Sequence, residues 1–228
     1  MCNLYASTTT QSAMRSLFDV PAHRDRLGNA EPLPAIFPRY QGPVVRLGAD
    51  GERELTAMHW GFVMPQVSKK TGAPIQPKAI NNTRDDTVRV SRFWRPSFEA
   101  RRCLIPASSF CEAKGRAPAD YHWFGVDGRS PFAFAGIWTH FRGRYKDELR
   151  EIDTYSMLTT TPNAVVAPVH PDRMPVILDP ADYDTWLSGS PDAAFALLRP
   201  FPADRMEVFA HDVGLKLEPP GRVSTFDS

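Results

Sequence analysis

The segment YHWFGVDGRSPFAFAGIW, residues 121–138, decides how this chain folds. Apolar and aromatic residues fill 121–126 and 131–138, and Asp127-Gly128 separates the two runs. An Asp-Gly pair between apolar runs is a strong short-range hairpin signal. Residues 43–47 and 54–60 repeat the arrangement around Ala49-Asp50-Gly51. Further strands are predicted at 2–6, 155–159, 174–178 and 206–209. A helix is predicted over 8–18, with Ser7 or Thr8 as its cap. Others are predicted after Thr161-Pro162, Asp179-Pro180 and Ser190-Pro191, where a capping residue precedes a proline at the first helical position. Gly189 stops the second of these. Many strands with scattered helices predict an α+β fold, a strand-rich barrel-like sheet surrounded by short helices. No repeat or linker divides the chain. Residues 66–77 and 114–119 read as surface loops, so 1–228 is expected to form one domain.

Composition narrows the function. The chain has 228 residues, 42% of them hydrophobic, enough for a core. Its 27 basic and 26 acidic residues leave a net charge of +1, so no global field advertises nucleic acid, although a local basic groove is compatible with it. Cys2, Cys103 and Cys111 lack metal-site spacing. No metal and no cofactor is expected, and Cys103 and Cys111 are expected as buried thiols. The start MCNLYASTTTQSAMRSLF has no apolar signal core, and no apolar run reaches the ~18–20 residues of a membrane span. A cytoplasmic protein with no membrane partner is expected.

Chemistry concentrates at a few positions. Removal of Met1 would free the α-amine of Cys2 beside its thiol, with reference pKa values of about 7.7–8.0 and 8.5. Such a 1,2-aminothiol forms an imine with an aldehyde and then closes a thiazolidine ring. The plainer alternative is an inert buried thiol. Asn82 and Arg84 alternate on an extended segment, so an amide and a guanidinium are expected on one face, suited to sugar and phosphate oxygens. A side-chain-stabilised turn is the alternative. Glu112 closes an apolar run, either paired with a base or held protonated for proton transfer. His170 lies between Val169 and Pro171 in a proline-braced loop and is a candidate acid/base group. Trp60, beside Gly61 at a strand end, would stack on a base or pack in the core.

In order, Met1-Cys2-Asn3-Leu4-Tyr5, Trp60-Gly61, Asn82-x-Arg84, Arg102-Cys103-Leu104-Ile105-Pro106-Ala107, Phe110-x-Glu112, Ala135-Gly136-Ile137-Trp138 and His170-x-x-Arg173-Met174-Pro175 resemble the SRAP family of abasic-site processing proteins. The likeness spans about residues 2–178. It implies an enzyme that traps the aldehyde of an abasic site in single-stranded DNA on a mature N-terminal Cys2 and so shields the lesion during the DNA damage response. It also implies abasic-site lyase activity, self-removal of Met1, and association with the nucleoid when bound to DNA. Cys2, Asn82, Glu112 and His170 would be catalytic. Arg84, Trp60, Asn81 and Arg173 would contact DNA. The chain departs from the family pattern at Asn3-Leu4, at Asp86 and at Cys111 and Ala113 flanking Glu112. The sequence points to no protein partner. Two other readings stay open: a glutamine amidotransferase with an N-terminal nucleophile, and a non-catalytic single-strand-binding module whose Arg84, Arg89, Arg92, Arg95, Arg101 and Arg102 line a groove.

Overall fold

The computed structural model describes residues 2–145 and 148–219. The strands are β1 (Leu4–Ser7), β2 (Leu33–Ile36), β3 (Gln41–Leu47), β4 (Arg53–Trp60), β5 (Phe62–Val67), β6 (Pro74–Ile80), β7 (Asn82–Arg84), β8 (Arg102–Ala107), β9 (Ser109–Lys114), β10 (Asp120–Val126), β11 (Phe132–Tyr145), β12 (Glu148–Thr160), β13 (Met174–Pro175), β14 (Ile177–Leu178) and β15 (Met206–Val213). Five of them close a ring. β4 pairs with β3, β3 with β8, β8 with β11 and β11 with β12, all antiparallel. β12 then runs parallel to β4 and completes the circuit. Closure leaves no free edge in the ring, the reason for a barrel. A second sheet, in the order β15-β10-β9-β1-β2, lies beside the barrel and is continued from it where β8 passes into β9 at Ser108.

The apolar runs of β8 and β11 are unbroken because both faces are covered. Cys103, Ile105, Phe132 and Phe134 join Tyr5, Trp60, Phe110, Phe124 and Tyr155 in one core. The alternate residues Leu104, Ala133, Ala135 and Ile137 join a second core with Phe18, Phe98 and Trp186, under the helices. The buried guanidinium of Arg102 donates to the carbonyls of Phe98, Trp186 and Gly189. It thereby ties the ends of the helices Arg95–Ala100 and Tyr183–Ser188 to the barrel.

The expected 43–60 hairpin forms, with Val44 across from Thr56. The one expected at 121–138 does not. Its strands exist, but β10 pairs with β9 and β15 while β11 pairs with β8, β12 and β14. Asp127, Gly128 and Arg129 all have positive φ, and Asp127 is held in a two-pronged ion pair by Arg205, at 2.9 and 2.6 Å. The link is therefore a crossover between sheets.

The first helix begins at Gln11, with Thr10 as its cap. The Thr8 hydroxyl is engaged by Ser108 and Glu218 instead, at 3.0 and 2.7 Å. After Thr161-Pro162 there is a run of turns, because Pro168 interrupts the pattern that Asn163 starts. The helices Tyr183–Ser188, ended by Gly189, and Pro191–Ala196, capped by Ser190, are as expected. Residues 66–77 are partly strand, in the β5–β6 pair. Most of the arginines in the basic run are buried or engaged by protein groups. Arg102 is buried, Arg101 donates to the Trp138 carbonyl and Ser97, and Arg89 and Arg95 pair with Asp192 and Glu99. No helix among the described residues is long and apolar enough to cross a membrane.

Candidate active site

Cys2 lies two residues before the start of β1 and is fully buried. Two adjacent amides grip its carbonyl, with Asn82 Nδ2 donating at 2.7 Å and Asn81 Nδ2 at 3.0 Å. Asn81 also donates to Asn3 Oδ1 at 3.0 Å. Asn81 is fixed in turn because its carbonyl accepts from Trp60 Nε1 and from the Met157 amide, at 2.8 and 3.0 Å. The Cys2 thiol donates to the Leu4 carbonyl at 3.4 Å. Burial, and then the neighbouring Glu112 carboxyl, push that thiol well above its ordinary pKa.

Glu112 is buried in β9. Among the described residues its Oε1 has no hydrogen-bond partner, and neither has Asn82 Oδ1. Buried polar atoms without partners are rare, and each calls for a chemical explanation. Burial pushes the Glu112 carboxyl up to about 7, so it exchanges a proton near neutral pH. His170 is half-buried on the loop before β13, and its Nδ1 accepts from the Arg173 amide at 3.2 Å. That bond requires an unprotonated Nδ1, so the proton of the neutral ring sits on Nε2. Burial lowers the His170 pKa and favours the neutral form.

Two clefts meet here, sharing Asn3 and His170. One of about 390 Å³ contains Glu112, Tyr121 and Lys216. The other, of about 720 Å³, contains Arg84, Asp86, Asp172 and Arg173. The first holds the buried Glu112 carboxyl, and the second is lined by two arginines and two aspartates.

The structure thus brings Cys2, Asn81, Asn82 and Glu112 together, with His170 on the adjoining cleft. Asn82 and Arg84 alternate along β7 and so share a face, with Asn82 buried toward Cys2 and Arg84 exposed beside Asn3 in the second cleft. Arg84 forms a two-pronged ion pair with Asp86, at 3.0 and 2.5 Å. Trp60 is not a stacking platform. It is wholly buried, edge-on to Tyr5 and stacked with Tyr155. Arg173 is likewise a brace. It is buried and donates to Asp85 and the Thr159 carbonyl, each at 2.5 Å. Sequence reasoning missed Asn3, Tyr121 and Lys216. Lys216 in particular reaches the cleft from far along the chain, with no local pattern to mark it. Met1, whose removal the aminothiol requires, lies outside the described residues.

The family model described as SOS response associated peptidase (SRAP) matches residues 1–214. The chain belongs to the SRAP family. This SRAP chain is 32% identical over 160 residues to abasic site processing protein YoqW of Bacillus subtilis, across 68% of each chain. It is 31% identical over 173 residues to abasic site processing protein YoaM of the same organism, across 68% of this chain and 67% of the other. A crystal structure of a protein from Bordetella bronchiseptica matches with a TM-score of 0.69 at 28% identity, over 90% of this chain and 97% of that one. One from Bacteroides thetaiotaomicron matches with a TM-score of 0.73 over 90% of each chain, at 19% identity, a likeness of fold alone. The strand-rich SRAP architecture is shared among these proteins.

Proposed function

We propose that this SRAP protein captures abasic sites in single-stranded DNA as a covalent adduct on Cys2. With Met1 removed, Cys2 offers an amine and a thiol on adjacent carbons, and the ring-opened abasic sugar offers an aldehyde at C1′. The amine adds to C1′, and water leaves to give an imine. The sulfur adds to the same carbon and the thiol proton passes to the imine nitrogen, closing a thiazolidine. One C–N and one C–S bond form, and one water is lost.

The observation that carries this reading is the unpartnered carboxyl of Glu112 beside Cys2, with a pKa of about 7. Opening the sugar, losing water and closing the ring each move a proton. A carboxyl half-protonated at neutral pH serves in both directions. The neutral His170 ring is suited to donate to the sugar oxygen as the ring opens. Asn81 and Asn82 hold the Cys2 backbone still while its amine reacts. Arg84 would exchange Asp86 for a DNA phosphate. The names of the Bacillus relatives support abasic-site processing as the task. An imine also acidifies the neighbouring carbon, so strand cleavage by β-elimination is an expected side reaction.

The test is incubation with a single-stranded oligonucleotide carrying one abasic site, followed by a denaturing gel. The protein is expected to lack Met1 by intact mass and to form an adduct that survives the gel. Cys2→Ala is expected to form none, because an imine alone hydrolyses. A stable adduct from Cys2→Ala overturns the assignment.

A further inference from the structure

On the second sheet, one strand over from Glu112, three side chains converge. Asp120 and His122 alternate along β10 and so share one face. His211 of β15 lies directly across the ladder from His122. Asp120 Oδ2 is 3.0 Å from His122 Nε2 and 3.4 Å from His211 Nδ1. One ligand atom from each residue falls within 4.8 Å of the others. The two imidazoles stack, with centroids 4.9 Å apart and planes 12° apart.

We propose that Asp120, His122 and His211 bind a divalent cation of the zinc class. Two imidazole nitrogens and a carboxylate make a three-ligand set that leaves a fourth position for water. Bonds of about 2.0–2.2 Å in a tetrahedron separate ligand atoms by about 3.4 Å, the scale of the two gaps to Asp120 Oδ2.

Among the described residues His122 Nε2 and Asp120 Oδ1 are both buried and make no hydrogen bond. His122 Nε2 comes within 3.0 Å of the carboxylate without the direction a hydrogen bond needs. Lys114 faces Asp120 across the β9–β10 ladder, but it is exposed and makes no ion pair with Asp120 among the described residues. Glu112 faces His122 in the same ladder, so a cation here would sit one strand from that carboxyl. The proposal does not depend on the abasic-site reading.

The test uses full-length protein stripped with a chelator and titrated with zinc against a chromophoric competitor. It is done in a Cys2→Ser background, because a terminal aminothiol chelates zinc itself. One ion per chain is expected. His211→Ala removes an exposed ligand, and Asp120→Asn keeps the shape. Each is expected to weaken binding at least about tenfold. His140→Ala, at an exposed histidine between Asp153 and Glu151, is expected to leave affinity unchanged. Zinc is expected to raise the melting temperature of the background protein and not that of His211→Ala. Absence of stoichiometric binding overturns the site. So does equal binding by Asp120→Asn and the background protein.

Discussion

Glu112 and Arg173 are both ionisable groups removed from water, and the fold treats them in opposite ways. Arg173 is given Asp85 and the Thr159 carbonyl. Its charge is matched, and its pairing ties the loop carrying His170 to the start of the short helix Asp85–Val88. Glu112 has no partner for Oε1 among the described residues, and burial pushes its carboxyl up to about 7. A satisfied buried charge is part of the scaffold. An unsatisfied one costs stability and stores reactivity. Under the proposed function, the comparison separates a residue that performs chemistry from one that holds the site in place, although both are ionisable and both lie in the family motifs.

The contrast breaks first in kinetics. Glu112→Gln is expected to slow single-turnover cross-linking, and reversal of the adduct, by roughly 10²–10⁴-fold. Its melting temperature should be unchanged or raised. Normal rates in both directions would remove Glu112 from the chemistry and leave it a strained core residue. Arg173→Ala should do the reverse. It leaves Asp85 largely buried and unpaired, and a broken buried pair costs about 3–5 kcal/mol. Urea unfolding measures that loss. A cost under about 1 kcal/mol would mean that Arg173 is no brace.

The pH dependence of stability sharpens the comparison further. The folded Glu112 carboxyl titrates at about 7, while an unfolded one titrates near about 4.3. Between those values the folded state keeps a proton that the unfolded state has released. Stability should therefore fall as pH rises through that window, by on the order of 3 kcal/mol in all, and level off above it. Glu112→Gln lacks this dependence. In unfolding titrations with chelator present, its advantage over the parent should grow from pH 4.5 to pH 8. A constant difference would contradict a raised carboxyl.

The smallest effect is expected at Arg84, whose exposed pair with Asp86 contributes little to folding. Arg84→Ala should change stability by under about 0.5 kcal/mol. It should flatten the salt dependence of single-strand binding by about 0.7 in log–log slope. An unchanged slope would confine Arg84 to its ion pair.

The two Asp-Gly segments show how far local signals reach. Residues 43–60 form the hairpin that their turn predicts, because β3 and β4 are neighbours in the closed ring. Residues 121–138 carry an equally strong signal, yet β10 and β11 part into different sheets. Each strand has better partners on both sides, and Arg205, far along the chain, holds the turn. Thr8 loses its expected capping role in the same way, to Ser108 and Glu218.

By itself, the sequence determined the strand-rich α+β class, most strand positions and two of the three proline-started helices, since these depend on local pattern and turn chemistry. It also singled out Cys2, Asn82, Glu112 and His170 through their ordered motifs. Only the tertiary structure decided which polar residues are satisfied. Trp60 has the composition of a stacking platform and Arg173 that of a phosphate hook, but one fills the core and the other meets Asp85. Burial and pairing are properties of neighbours in space. Asn81 and Asn82 reach Cys2 across some eighty residues of chain, and Lys216 comes from the far end to line the cleft. No window of sequence contains both partners, so the distinction between brace and reagent exists only once the chain has closed on itself.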